Sequence, residues 1–358
     1  MFKDSIKRVF NHLEALKRKG NLKIVDTHIH PYDVMGVQHG EDFPIRHDIA
    51  KDFSAFSYHG GILEFFRYGK IVSLVSPPYY RFFHKSVWRI IQKTFYNASS
   101  LRILDEMRKA HIDRCVLVPI EPWLSTDFVH SKFQAADFFL LGSIDVVGDS
   151  LELIKERLHK YIFEYKIIGL KLHPNLQGFK PQPSHNPPEV QEKLEYIYTK
   201  AAEAGLYVLF HGGLSFYTDQ ISDKYNNTKR SRTNALLKNY FNQDGSSEIL
   251  GKYSIPVIFA HLGHFGLLKV DYSSLQLISK RYSNVYFDTS GTSPQLISKI
   301  VEVVGAHRVV FGSDGLYNRI LQNLIFVYRG LSRITDKKKF DQALINVLGH
   351  NFNRIISR

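Results

Sequence analysis

Cysteine is nearly absent from this chain: Cys115 is the only one. A single thiol cannot close an internal disulfide, so a disulfide-stapled secreted scaffold is excluded and a reducing, cytoplasmic setting is expected. Long hydrophobic runs are missing too. Lys, Arg or His interrupts every stretch before it reaches the roughly 20 apolar residues that span a bilayer, so no transmembrane segment is expected. Residues Met1 to Arg8 carry scattered charge and no apolar run ending at a small-residue cleavage site, which gives no sign of an export signal. Acidic residues are in deficit, 34 against 47 Lys and Arg, leaving a formal net charge of +13. Such an excess attracts polyanions, or simply keeps a lysine-rich surface solvated. The second reading is preferred, so nucleic acid is not the expected partner.

What is present is an ordinary globular composition, 44% hydrophobic and 23% charged, enough to bury a sizeable core and to exclude disorder as the main state. Residues 3 to 19 place Ile6, Val9, Phe10, Leu13 and Leu16 at helical spacing with basic residues opposite. This amphipathic helix could lie on a membrane, but packing across the bottom or side of the fold is the preferred reading. Beyond it, eight short apolar runs alternate with helical stretches. They lie near Leu22 to Ile29, Arg114 to Ile120, Phe138 to Ile144, Ile167 to Leu172, Leu206 to Phe210, Pro256 to Ala260, Val285 to Phe287 and Arg308 to Phe311.

Strands that alternate with helices pair in parallel, and eight such units predict a (β/α)8 TIM barrel with its active site at the strand C-terminal ends. The expectation is one barrel domain over residues 1–358. Residues 33–98, dense in Phe and Tyr, interrupt the rhythm after strand 1 and predict a cap. Residues 214–250 form a second insertion after strand 5. Both follow strand C-terminal ends, where they would overhang the mouth. Helices are predicted over Leu101 to Ala110, from Leu151 behind a Ser150 cap, and over Val190 to Ala204.

Strand 1 closes with Asp26-Thr27-His28-Ile29-His30, and alternation points His28 and His30 the same way. Such a pair is common by chance among 17 histidines. Three further strands also end in potential ligands: His211, His261 and Asp314. In a barrel these converge on one mouth, where imidazole and carboxylate suit Zn2+, Fe2+ or Mn2+. Asp26 lies deeper on the face of His28 and His30, where it could orient a ligand imidazole through its free N–H. Asp288 could do the same or cap the next helix. His264 is expected to stay outside the site. His39, His47, His59, His84 and Arg81 in the insertion could reach a substrate.

Asp26-Thr27-His28-Ile29-His30, Gly169-Leu170-Lys171-Leu172-His173-Pro174, His211-Gly212-Gly213, Ala260-His261-Leu262-Gly263-His264 and Phe311-Gly312-Ser313-Asp314 occur in this order. Together they resemble the amidohydrolase superfamily, and within it the amidohydrolase-2 group of hydrolases, lactonases and decarboxylases. Ala343 to Phe352 resembles the group's last helix. The resemblance implies one divalent ion, Zn2+ first with Mn2+ or Fe2+ as alternatives, held by His28, His30, His211 and Asp314. It implies catalytic roles for Asp314, which would move a proton, and for an unligated His261, which would polarise the substrate. Lys171 would bridge a second ion if carboxylated, with His211 and His261 serving that ion; otherwise it would contact substrate or a structural partner. His173 could line the same pocket. The reaction implied is hydrolysis of a C–N or C–O bond in a small amide, ester or lactone by metal-activated water. The alternative is metal-dependent non-oxidative decarboxylation of a small unsaturated or aromatic acid. Less favoured are a barrel nuclease of the TatD type, which usually has Glu where Lys171 stands, and a non-catalytic binding protein. A homodimer is possible for such barrels, though no surface is singled out.

Overall fold

A computed structural model describes residues 2–20, 22–32, 99–215, 231 and 233–357. The cap expected at 33–98, with His39, His47, His59, His84 and Arg81, lies outside the described residues. So do residues 216–230 of the second insertion.

Eight parallel strands run in sequence order: β1 (Val25–Ile29), β2 (Arg114–Leu117), β3 (Phe138–Ser143), β4 (Gly169–Leu172), β5 (Tyr207–Phe210), β6 (Val257–Phe259), β7 (Val285–Asp288) and β8 (Val309–Val310). Each falls within or against one of the eight apolar runs. The sheet closes between its ends, because Thr27 N–H donates to Phe311 O at 2.9 Å and Ile29 bridges Gly315 in parallel. The result is the expected TIM-type barrel.

Both faces of every strand are covered, which explains why the runs read as continuous apolar stretches rather than alternating ones. Val25, Val116, Val118, Leu141, Leu209 and Ile258 belong to the cluster inside the barrel. Leu117, Leu170, Leu172, Val208, Phe210 and Phe259 face outward to the helices. Phe352 and Ile355, on the terminal helix Asn351–Ile356, join the inner cluster, and the Phe352 ring meets Tyr207 edge-on at 5.7 Å. They plug the end opposite the strand C-termini.

The first helix, α1 (Phe2–Arg18), buries Val9, Leu13 and Leu16. Its His12 ties the later helices Ile320–Leu331 and Lys337–Ile345 through Tyr328 Oη and Asp341 Oδ1, each at 2.9 Å. Side packing is therefore its role in the fold. Serine caps open several helices as the sequence suggests; Ser150 Oγ accepts the Leu153 N–H at 3.2 Å before helix Leu151–Phe163. Among the described residues no helix is long and apolar enough to cross a membrane.

The second insertion, in its described part, also reaches down the barrel wall. Tyr240, at the end of the turn Leu237–Tyr240, packs edge-on against Phe210 and Phe259 at 5.1 and 4.6 Å. Those rings face outward from β5 and β6 and need cover. Tyr240 thus closes the barrel's side, while Ala235 of the same stretch bridges Gly213 beside the C-terminal end of β5.

Candidate metal centre

His28 is the fourth residue of β1 and His30 follows its end, so both rings project to the inside of the mouth, 0% and 5% exposed. The Nδ1 of His28 meets Asp288 Oδ2 at 2.8 Å, and the Nδ1 of His30 meets the carbonyl of Val118 at 2.8 Å. Both partners are acceptors, so each ring carries its proton on Nδ1. Burial, reinforced by the positive Lys171, holds both rings well below the ordinary histidine pKa and hence neutral. Their Nε2 atoms face each other at 3.1 Å. Two lone pairs at that distance repel unless a cation lies between them.

Asp314 completes the group. The segment after β8 runs beside β1: Asp314 N–H donates to His28 O at 2.8 Å, and Leu316 N–H to His30 O at 3.2 Å. Asp314 itself has φ 59°, in the left-handed region, which aspartate tolerates better than most residues. Asn318 Nδ2 donates to Asp314 Oδ2 at 2.9 Å and turns Oδ1 to the imidazoles, 3.9 Å from His28 Nε2 and 3.6 Å from His30 Nε2. Donors about 2.1 Å from a tetrahedral ion are spaced by about 3.4 Å, so this trio fits a first-row divalent cation. Among the described residues, His28, His30 and Asp314 are the group whose ligand atoms all lie within 4.8 Å of one another.

His211 is not brought into that group. Its Nε2 bonds to Leu214 O at 2.9 Å, across the Gly212-Gly213 turn, which leaves Nδ1 as the lone-pair nitrogen. The ring stacks on His173 at 4.2 Å and lies 5.0 Å from His261. His173 Nδ1 accepts the Leu176 N–H at 3.3 Å at the start of the single turn Pro174–Gln177. His261 has φ 56° and donates its backbone N–H to Asp288 Oδ1 at 2.9 Å. Its Nδ1 bonds to Ser290 O at 2.9 Å, so the neutral ring offers a lone pair at Nε2. Burial lowers its pKa to about 4. At neutral pH His261 therefore accepts hydrogen bonds; polarising a carbonyl as an N–H donor would need the protonated ring. His264 is engaged with Leu262 O and the Asp271 N–H, away from the trio.

The structure gives the imidazole-orienting task to Asp288. Asp26 instead accepts main-chain N–H groups, from His28 at 3.1 Å and Ser313 at 2.9 Å, and fixes the two strand ends relative to each other. Burial pushes its carboxyl up to about 7. Lys171, at the end of β4, is 1% exposed, and burial lowers its ammonium to about 8 against the pull of Asp288 and Asp314. Asn318 and Ser290, which hold Asp314 and His261, were not singled out in the sequence. No spacing rule marks them, because each acts through a loop whose path only the fold fixes.

The Amidohydrolase family matches residues 25–319. No curated protein matches the chain in sequence. Solved structures share the fold at low identity. The 5-carboxyvanillate decarboxylase of Novosphingobium aromaticivorans, solved with manganese and 4-hydroxy-3-methoxy-5-nitrobenzoic acid, has a TM-score of 0.56 at 14% identity, covering 94% of this chain and 96% of that one. The same decarboxylase from Sphingomonas paucimobilis gives 0.53 at 12% identity, over 94% and 99%. The 2,6-dihydroxybenzoate decarboxylase from Rhizobium gives 0.52 at 12% identity, over 76% and 92%.

Proposed function

Because the chain belongs to the amidohydrolase family, matched from residue 25 to 319, we propose that it is a metal-dependent enzyme that decarboxylates a small aromatic or unsaturated carboxylic acid without oxidation. The observation that carries the metal is the facing pair of imidazole lone pairs at 3.1 Å with Asp314 Oδ1 beside them. Decarboxylation is favoured over hydrolysis by the likeness to three decarboxylases with TM-scores above 0.5. Zn2+ and Mn2+ both suit the donors, and the manganese reported for one of those enzymes makes Mn2+ the first ion to test.

When bound, the ion supplies Lewis acidity that polarises a substrate oxygen. The chain's own groups do the rest. His28 and His30 keep their Nε2 lone pairs inward because their other nitrogens are tied down. Asp314, held by Asn318, takes a proton from solvent and delivers it to the reacting carbon as the bond to the carboxylate breaks, returning to the carboxylate form. The bonding electrons pass to that carbon and carbon dioxide leaves, so charge and atoms balance. His261 Nε2 accepts a hydrogen bond from a substrate hydroxyl, and Phe265, 4.8 Å from the His261 ring, offers an apolar edge to a planar substrate. His211 would join the ion as a further ligand through Nδ1.

Hydrolysis of an amide, ester or lactone is the second reading. An acceptor at His261 Nε2 and the Asp314 carboxylate would equally suit taking a proton from water. The test is carbon dioxide release by Mn2+- or Zn2+-loaded protein on hydroxybenzoates and unsaturated acids, run beside ester, amide and lactone panels. Hydrolysis without any carbon dioxide release would overturn the decarboxylase reading.

A further inference from the structure

Outward Leu170 and Leu172 join the helix-facing core, so Gly169, Lys171 and His173 face the barrel interior. The Tyr207 ring fills the level of Gly169, where a Cβ would come within 2.8 Å of it. Lys171 stands one level higher. Its charge acts on His28, His30, His173, His211 and His261, and it is itself acted on by Asp288 and Asp314. Lys171 therefore faces the same interior as these rings and carboxylates.

Among the described residues, none accepts a hydrogen bond from Lys171 Nζ or pairs with it. The nearby carboxylates are otherwise engaged. Asp288 Oδ1 receives the His261 and Ser290 N–H groups, Asp288 Oδ2 receives His28, and Asp314 Oδ2 receives Asn318. A buried ammonium that no described residue pairs with is costly to the fold, and Met would fill the same space without desolvating a charge. A neutral substrate would leave the charge uncompensated. A carboxylate would satisfy it with charge-assisted hydrogen bonds.

We infer that Lys171 is an anion receptor, and that the substrate carries a carboxylate gripped by this ammonium beside the His28, His30 and Asp314 group. Naming the anion a carboxylate rests on the decarboxylase reading; the receptor itself does not.

Calorimetric titration of 2-hydroxybenzoate and its uncharged amide, 2-hydroxybenzamide, into wild type and Lys171→Met tests this, with protein both manganese-loaded and metal-free. Wild type is expected to prefer the acid by about tenfold or more in the metal-free form, and Lys171→Met to lose that preference while binding the amide unchanged. The ligand-free variant is expected to melt at or above the wild-type temperature, whereas a structural lysine would lower it on removal. Lys171→Gln is read in the same way if the Met variant does not fold. Equal binding of acid and amide, no acid binding, or a preference that survives in the variant overturns the inference. So does a carbamate signal at Lys171 in 13C NMR with labelled bicarbonate. Carbon dioxide release is measured separately: acid binding through Lys171 without release leaves the receptor standing and removes the decarboxylase reading. Release with binding indifferent to Lys171 does the reverse.

Discussion

Asp288 on β7 holds the Nδ1 of His28 on β1 at 2.8 Å across the barrel mouth, with β8 between the two strands. The bond fixes which nitrogen of His28 is available to a metal, and it raises that nitrogen's basicity. Asp288→Asn keeps the shape and removes the charge. It is expected to weaken Mn2+ or Zn2+ binding about 10- to 100-fold, read by competition with a chromogenic chelator. Unchanged affinity would mean that the bond is not what orients the ligand.

Metal binding is expected to stabilise the folded chain, because the His28, His30 and Asp314 trio exists only when β1 and the segment after β8 are assembled. At free metal about 100 times the dissociation constant, the gain is about 2.7 kcal/mol. Thermal melts with and without a chelator measure it. His30→Ala should abolish most of the difference, and a variant that still responds fully would place the ion elsewhere.

Glu121, just beyond β2, gives the fold a pH dependence. Burial pushes its carboxyl from 4.5 to about 7, although Arg157 pulls the other way. The unfolded chain therefore releases this proton first, and the folded state binds the extra proton between those limits. Below about 4.5 the group makes no difference. Stability falls as pH rises from there to about 7, and the full penalty of about 3 kcal/mol persists above it. Glu121→Gln can still accept the Thr126 N–H through its carbonyl. Urea denaturation at pH 5 and pH 8 should show the variant gaining on wild type at the higher pH; an equal offset at both would refute the assignment.

Gly212, between His211 and Gly213, has no room for a side chain. A Cβ there would meet Ala260 O and lie 2.6 Å from Gly263 Cα, both main-chain atoms that cannot rotate aside. Gly212→Ala is expected to cost about 1 to 3 kcal/mol in urea denaturation. It should also weaken catalysis, by parting the β5 and β6 ends that carry His211 and His261. Wild-type stability and rate together would show that the loops yield freely.

The barrel was legible because parallel strands are buried on both faces, so each appears as a compact apolar run. Most hydrogen-bonded strands are shorter than those runs, β7 being one residue longer; Arg308 to Phe311, for example, contains only Val309–Val310 as strand. Phe311, beyond that strand, is apolar because it is buried, not because it pairs as strand. Alternation put His28 and His30 on one face, and their place at the end of a barrel strand gave the pair its weight. The disposition of His211 was not legible, since its ring follows a glycine turn to Leu214 O. Nor was the choice between Asp26 and Asp288: Asp26 shares the face of His28 and His30, Asp288 ends β7, and only the closed barrel brings Asp288 to an imidazole 260 residues away.

Three of the rings, His30, His211 and His261, take their tautomer from main-chain carbonyls of Val118, Leu214 and Ser290. A carbonyl survives every substitution that leaves the backbone path intact. Side-chain drift around the pocket can thus alter what the enzyme prefers to bind while the nitrogens it offers stay the same. His28 is the exception, because its partner is a replaceable carboxylate, and divergence in metal preference among proteins built on this frame would be expected to begin at position 288.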